Sequence, residues 1–223
     1  MLNSAVNHQL VADRIGDIQA EISSKSNNPV KIVAVTKGFG VQAVIAANNA
    51  GIDDIGENYA QEMVAKKEMI ANENPDAALR WHFIGNLQRN KVKKIFSHVF
   101  LWQSVDSLAL GEEIVKRCEE PQLLIQVNMT GVSNQGGLPP SEAPQFVERL
   151  QEMDINILGL MTIGDHRDRE ATLKHFQNLK TMANTLDLPE CSMGMSNDYD
   201  LALEAGATIL RLGTAIFGNR EED

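Results

Sequence analysis

Short apolar runs alternate with longer amphipathic stretches from one end of this chain to the other. An amphipathic opening over about residues 3–24 predicts a helix. VKIVAVT (30–36), rich in β-branched residues, predicts a strand, and VQAVIAANNAG (41–51) a helix that stops at Gly51. The weaker run IDDIGE (52–57) precedes a helix in NYAQEMVAKKEMIANE (58–73). RWHFI (80–84) pairs with LQRNKVKKIF (87–96), and HVFLWQSV (98–105) with SLALGEEIVKRCEE (107–120). The most apolar strand, QLLIQVNM (122–129), leads through a loop containing Gly and Pro to SEAPQFVERLQEM (141–153), where Pro144 falls in the first turn and is tolerated. INILGLMTI (155–163) precedes DREATLKHFQNLKTMANTL (168–186). CSMGM (191–195) with DYDLALEAG (198–206), and TILRLG (208–213) with TAIFG (214–218), close the series.

Eight such alternations predict one (β/α)8 barrel of the TIM type spanning residues 1–223, preceded by an extra helix, with ligands bound where the strands end. A length of 223 residues suits one large domain of that kind. The short acidic end, Glu221-Glu222-Asp223, reads as a solvated tail.

Charge narrows the partners. A net charge of −10 argues against a broad grip on nucleic acid or on anionic lipid, but a few local amides and one arginine still suffice for a small anion. No run approaches the roughly 20 apolar residues of a membrane span, and the opening segment has no signal-peptide core. The cytoplasm is the expected compartment. Cys118 and Cys191 lie far apart, without metal or redox spacing, and read as reduced thiols. His8, His98, His166 and His175 show no metal spacing either, and the chain has no P-loop, HExxH or nucleophile elbow.

The chemistry gathers at the strand ends. Lys37 follows VKIVAVT directly and shares a face with Val33 and Val35. If that face lines the barrel, desolvation lowers the amine's pKa, as Schiff-base chemistry requires; otherwise Lys37 is a solvated lysine at a strand end. Arg211 shares a face with Ile209 and needs an acceptor, whether a ligand or a strand-end carboxylate such as Glu57. Gly213-Thr214 opens the last helix and Met195-Ser196-Asn197 follows the seventh strand, an arrangement that suits a phosphate as readily as plain helix capping. His82 shares a face with Ile84 and is read as a hydrogen-bonded core residue or a group facing the ligand. GFGVQA (38–43), with Glu57 about 20 residues on, meets the loose dinucleotide pattern G-x-G-x-x-G/A; eight alternations and the preceding lysine weigh against that fold.

AVTK (34–37), GENYAQE (56–62), WHFIGNLQRNK (81–91), GLMTI (159–163), SMGMSNDYDLALEAGAT (192–208) and RLGTAIFGNR (211–220) keep an order and spacing that resemble the pyridoxal phosphate homeostasis protein family. The resemblance implies a barrel like the alanine racemase amino-terminal domain and bound pyridoxal 5′-phosphate. It implies an internal aldimine on Lys37, Arg211 facing the pyridine nitrogen, and Ser196, Gly213 and Thr214 holding the phosphate. Asn58 would lie beside the ring, with His82 and Met195 nearby. Two positions depart from the family pattern: Gln135 stands where a lysine is usual, and Gln103 replaces a histidine, neither of them expected to touch the aldimine set.

An arginine, unlike a carboxylate, cannot give the pyridine nitrogen a proton, so a carbanion on a bound amino acid would be stabilised poorly. No second acid is evident opposite Lys37, since Tyr59 and Tyr199 are the only tyrosines and both lie near helix starts. Alanine racemases carry a further β-domain for which the sequence leaves no room. These features predict a monomeric carrier of the cofactor, delivering it to apoenzymes that use it, with at most trace catalysis. The alternatives are a fold-type III amino-acid racemase or decarboxylase, and a phosphosugar-type barrel enzyme using Lys37 without any vitamin.

Overall fold

The computed structural model describes residues 6–75, 77–165 and 167–219. Asn7 caps the first helix, α1 (His8–Lys25), accepting from the Leu10 amide, so the helix begins later than the amphipathic pattern suggests. Residues 3–5, His166 and the acidic tail 221–223 lie outside the described residues.

Eight parallel strands follow in sequence order and close on themselves: β1 (Lys31–Val35), β2 (Asp54–Glu57), β3 (Arg80–Phe83), β4 (Leu101–Val105), β5 (Gln122–Gln126), β6 (Asn156–Met161), β7 (Glu190–Ser192) and β8 (Ile209–Leu212). The predicted barrel is the observed one. The helices between them are α2 (Val41–Asn49), α3 (Ala60–Glu73), α4 (Val92–Ile95) after a 3-10 turn at Arg89–Lys91, α5 (Leu108–Val115), α6 (Ala143–Gln151), α7 (Arg169–Thr185) and α8 (Tyr199–Glu204), with α9 (Thr214–Phe217) last. Asp168, which opens the DREATLKHF segment, is the N-cap of α7 and accepts from the Ala171 amide. β4 starts at Leu101 rather than His98, because the chain from Ile95 to His98 is still turning: the His98 amide bonds back to the Ile95 carbonyl. A closed parallel barrel is incompatible with an open dinucleotide-binding sheet, so GFGVQA serves only as the turn into α2.

Alternation along the strands sorts side chains into two layers. Outward residues such as Ile55, Trp81, Phe83, Trp102, Leu123, Ile125, Leu160 and Leu212 pack with the helices in one continuous core. Each fully buried side chain of this size contributes about 1.5–3 kcal/mol. Inward residues Val33, Leu101, Leu124, Met161 and Ile209 form a separate cluster inside the barrel. Polar residues also face inward, among them Asp54, His82, Gln103, Ser192 and Arg211, and all five are buried. No helix among the described residues is long and apolar enough to cross a membrane.

Candidate functional site

A cavity of about 250 Å³ opens at the carboxyl ends of the strands. Its walls include Lys37, Asn58, Met195, Ser196, Arg211, Gly213 and Thr214, with Val35, Ile84, Met161 and Ile163 as the apolar floor. Seven of the eight residues singled out from the sequence thus converge on one space. The eighth, His82, is fully buried beneath it and does not line it.

Lys37 enters this space because the backbone on either side of it is clamped from outside the barrel. The Lys66 ammonium, on α3, donates to the Thr36 carbonyl at 2.7 Å, to Glu57 Oε1 at 2.6 Å and to Glu62 Oε2 at 3.3 Å. Glu62 Oε2 in turn accepts from the Gly38 amide at 2.9 Å, and Thr36 Oγ1 donates to Glu57 Oε1 at 2.5 Å. Glu57 and Lys66 are both buried. Burial pushes the Glu57 carboxyl up, and the ammonium of Lys66 opposes that rise.

Glu57 therefore cannot be the counterion of Arg211. Asp54 and Gly56 point into the barrel, so Glu57, an odd number of residues on, points out toward α3. Arg211 instead donates from Nη1 to Ser192 Oγ at 2.6 Å and from Nη2 to the Thr162 carbonyl at 2.7 Å. Burial lowers its pKa to about 10, against the pull of Asp198, so it remains a cation at neutral pH.

Ser196 follows a turn that only glycine permits: Gly194 has φ of +90°, and a Cβ there would lie 2.5 Å from the Ala202 Cβ. That turn delivers the Ser196 hydroxyl to two amides, Gly213 N at 3.3 Å and Ala215 N at 3.0 Å. Across the cavity, Asn58 is held against Gly85, where a Cβ would fall 2.2 Å from the Asn58 carbonyl. The Asn58 Oδ1 atom is buried without a hydrogen-bond partner.

Gln103 is a residue that sequence reasoning missed. It is fully buried, with Nε2 2.8 Å from His82 Nδ1 and Oε1 accepting from Ser192 Oγ at 2.6 Å. It touches neither Lys37 nor Arg211 directly, but stands one hydrogen bond from His82 and two from Arg211. The other departure, Gln135, donates to the Ile163 carbonyl at 3.0 Å and so touches the cavity wall indirectly. The apolar floor was also missed, although alternation along INILGLMTI could have supplied Met161 and Ile163.

Other cavities and clusters do not compete chemically. A larger space of about 460 Å³ lies at the opposite end of the barrel, beside Ile32, Asp54 and Arg80, but there Asp54 and Arg80 satisfy one another at 2.7 and 2.8 Å. Among the described residues no group of His, Cys, Asp and Glu could hold a metal. Cys118 and Cys191 are both free thiols, the latter pushed up to about 11 by burial.

With this geometry in view, the likenesses to known proteins are informative. A family model described as alanine racemase, N-terminal domain, matches residues 12–221. The pyridoxal phosphate homeostasis protein of Vibrio alginolyticus is 36% identical over 203 residues, covering 86% of this chain and 87% of its own. That of Synechocystis sp. is 38% identical over 215 residues, covering 91% and 97%. Among solved structures, PipY of Synechococcus elongatus with PLP bound shares 32% identity and a TM-score of 0.81, covering 93% of this chain and 100% of that one. Alanine racemase of Clostridium difficile, at 16% identity and a TM-score of 0.73, covers 95% of this chain and 58% of its own, a likeness of fold alone.

Proposed function

The chain belongs to the pyridoxal phosphate homeostasis protein family, and from that premise we propose that it carries pyridoxal 5′-phosphate on Lys37 and serves vitamin B6 homeostasis, with little or no catalysis. The observation that carries this reading is the convergence of an amine, a buried guanidinium and a hydroxyl–amide cluster on one small cavity.

The residues fit the cofactor on their own chemistry. Both acceptor positions of the Ser196 hydroxyl are taken by the Gly213 and Ala215 amides, so its own hydrogen is left to donate to an anionic oxygen. No Asp or Glu is among the described residues lining the cavity, while Lys37 and Arg211 both do, which favours a dianion in a chain of net charge −10. The buried, unpartnered Asn58 Oδ1 offers an acceptor beside the ring.

When bound, pyridoxal phosphate supplies an electrophilic carbonyl carbon and a conjugated ring that can accept electrons. Lys37 would attach it, Ser196, Gly213 and Thr214 would hold its phosphate, and Asn58 and Met195 would flank it. Arg211 would face the ring nitrogen and keep its own protons, and so would orient the ring without making it a strong electron sink. Weak catalysis is further supported by the walls: no tyrosine, cysteine or histidine lines the cavity among the described residues, and Tyr199 is engaged with Glu21 at 2.5 Å. We place this activity in the cytoplasm, in a monomer that passes the cofactor to apoenzymes.

An absorbance spectrum of the purified protein tests the reading. Wild type should show a visible band that borohydride bleaches, with a phosphopyridoxyl mass fixed on Lys37, and Lys37→Ala should show neither. No band after adding pyridoxal phosphate would overturn the reading in favour of a phosphosugar-type enzyme. Turnover of an amino acid at about 1 s⁻¹ or faster would make the chain a racemase or decarboxylase instead.

A further inference from the structure

Beneath the cavity a single chain of hydrogen bonds crosses the barrel interior. Arg80 donates from Nε and Nη2 to the two oxygens of Asp54, and His82 Nε2 lies 2.8 Å from Asp54 Oδ1. His82 Nδ1 meets Gln103 Nε2 at 2.8 Å, Gln103 Oε1 meets Ser192 Oγ at 2.6 Å, and Ser192 Oγ meets Arg211 Nη1 at 2.6 Å. His82, Gln103 and Ser192 are fully buried, so water cannot substitute for any missing partner.

The proton positions follow from the ends of the chain. Arg211 can only donate, so the Ser192 oxygen accepts from it, and the Ser192 hydroxyl donates to the Gln103 carbonyl oxygen. That sets the Gln103 amide with its NH₂ toward His82, where Nδ1 must accept. His82 is then the neutral Nε2–H tautomer, donating to the Asp54 carboxylate. Of the charged groups around this imidazole, Asp54 favours its protonation while Arg80 and Lys31 oppose it, and the uncharged Phe100 ring lies 5.8 Å away. Burial pushes the imidazole pKa down against the pull of Asp54. Reversing the amide would put its NH₂ toward the Ser192 oxygen and its carbonyl toward His82 Nδ1, an arrangement that only a doubly protonated imidazole satisfies, and burial disfavours that charge.

We infer that Gln103 is a positioning residue for Arg211: its amide, fixed in one orientation by neutral His82, orients the Ser192 hydroxyl and so holds the guanidinium in the plane it presents to the cavity. Two of the five N–H donors of Arg211 are spent on Ser192 and Thr162, and the plane they define aims the others. The functional consequence rests on the reading of Arg211 as the group that faces the cofactor ring.

The test reads both ends of the chain by nitrogen NMR on ¹⁵N-labelled protein without added cofactor. In wild type at about pH 7, His82 should show one protonated nitrogen, Nε2, and the Arg211 Nη–H signals should be resolved because rotation is blocked. Gln103→Glu puts an acceptor at both ends: His82 should become doubly protonated while the Arg211 signals stay resolved. Gln103→Leu removes both links, so the Arg211 signals should merge. Pyridoxal phosphate should bind Gln103→Leu about tenfold more weakly, with a shifted visible band, and Gln103→Glu within about twofold of wild type. If Gln103→Leu does not fold, Ser192→Ala cuts the same path next to Arg211 and should give the same merged signals and weaker binding. Resolved Arg211 signals and unchanged affinity in whichever of these two variants folds, or a neutral His82 in Gln103→Glu, would overturn the inference. A wild-type chain that binds no pyridoxal phosphate would overturn the cofactor reading alone, because the NMR signals report on Gln103 without it.

Discussion

The two walls of the cavity are held in opposite ways. The backbone around Lys37 is clamped from outside the barrel by an ion cluster, Glu57, Glu62 and Lys66, that reaches in from α3. Arg211 is held from inside by uncharged groups, Ser192, Gln103 and His82, with an ion pair only at the far end. Breaking an ion cluster strands a buried charge, whereas breaking a neutral relay strands a hydroxyl or an amide, which costs less. The anchor thus depends on charge balance and the arginine on hydrogen-bond direction.

The largest expected effect comes from Lys66→Met. It leaves the fully buried Glu57 carboxylate without a counter-charge, and about 3–5 kcal/mol of stability should be lost in urea unfolding at neutral pH. The double variant Glu57→Gln/Lys66→Met should recover much of that loss. If Lys66→Met costs no more than a surface substitution, the Lys37 wall is not held by charge.

Arg211→Met should cost less, about 1–3 kcal/mol, because it relieves a desolvated cation and strands only Ser192 Oγ and the Thr162 carbonyl. Its effect on pyridoxal phosphate affinity should nonetheless be clear, since the group it removes faces the cavity. A stability loss equal to that of Lys66→Met would erase the contrast between the two walls.

Much of this was legible in the sequence, and the reasons differ from residue to residue. Lys37 and Arg211 could be placed because each ends a strand whose β-branched neighbours fix the inward face. The same alternation, applied to IDDIGE, would have turned Glu57 outward and away from Arg211. What alternation cannot reveal is which side chain on a helix meets a strand-end carboxylate, so Lys66 stayed hidden among the two lysines and three glutamates of α3. Gln103 was seen as an oddity rather than a link, because its partners Ser192 and His82 come from strands far apart in the chain and meet only when the barrel closes.

Acid should separate the walls by sign. The His82 pKa is lowered by burial, so the stability it contributes is present above the ordinary histidine value of about 6.5 and is lost as pH falls below it, by up to about 1.4 kcal/mol per pH unit. Glu57 is raised by burial, so its contribution runs the other way, present at low pH and lost as pH rises through its elevated value. His82→Gln should flatten the loss of stability below about pH 6.5, and Glu57→Gln should flatten the loss on rising pH; urea midpoints across pH read both. Identical slopes in wild type and His82→Gln would mean that the relay carries no neutral imidazole.

The smallest effect expected is also the most selective. Glu62 is partly exposed, and its contact with Lys66, at 3.3 Å, is longer than that of Glu57. Glu62→Gln keeps an acceptor for the Gly38 amide and removes only a screened charge, so unfolding should change by less than about 1 kcal/mol. Gly38 is nevertheless the residue next to the anchoring lysine, and a weaker hold on its amide lets the Lys37 backbone shift. The rate at which pyridoxal phosphate attaches, followed as growth of the visible band, should therefore slow in Glu62→Gln while the urea midpoint stays put. If attachment is unchanged, the clamp ends at Lys66 and Thr36, and Glu62 serves only to keep the turn after β1 in place.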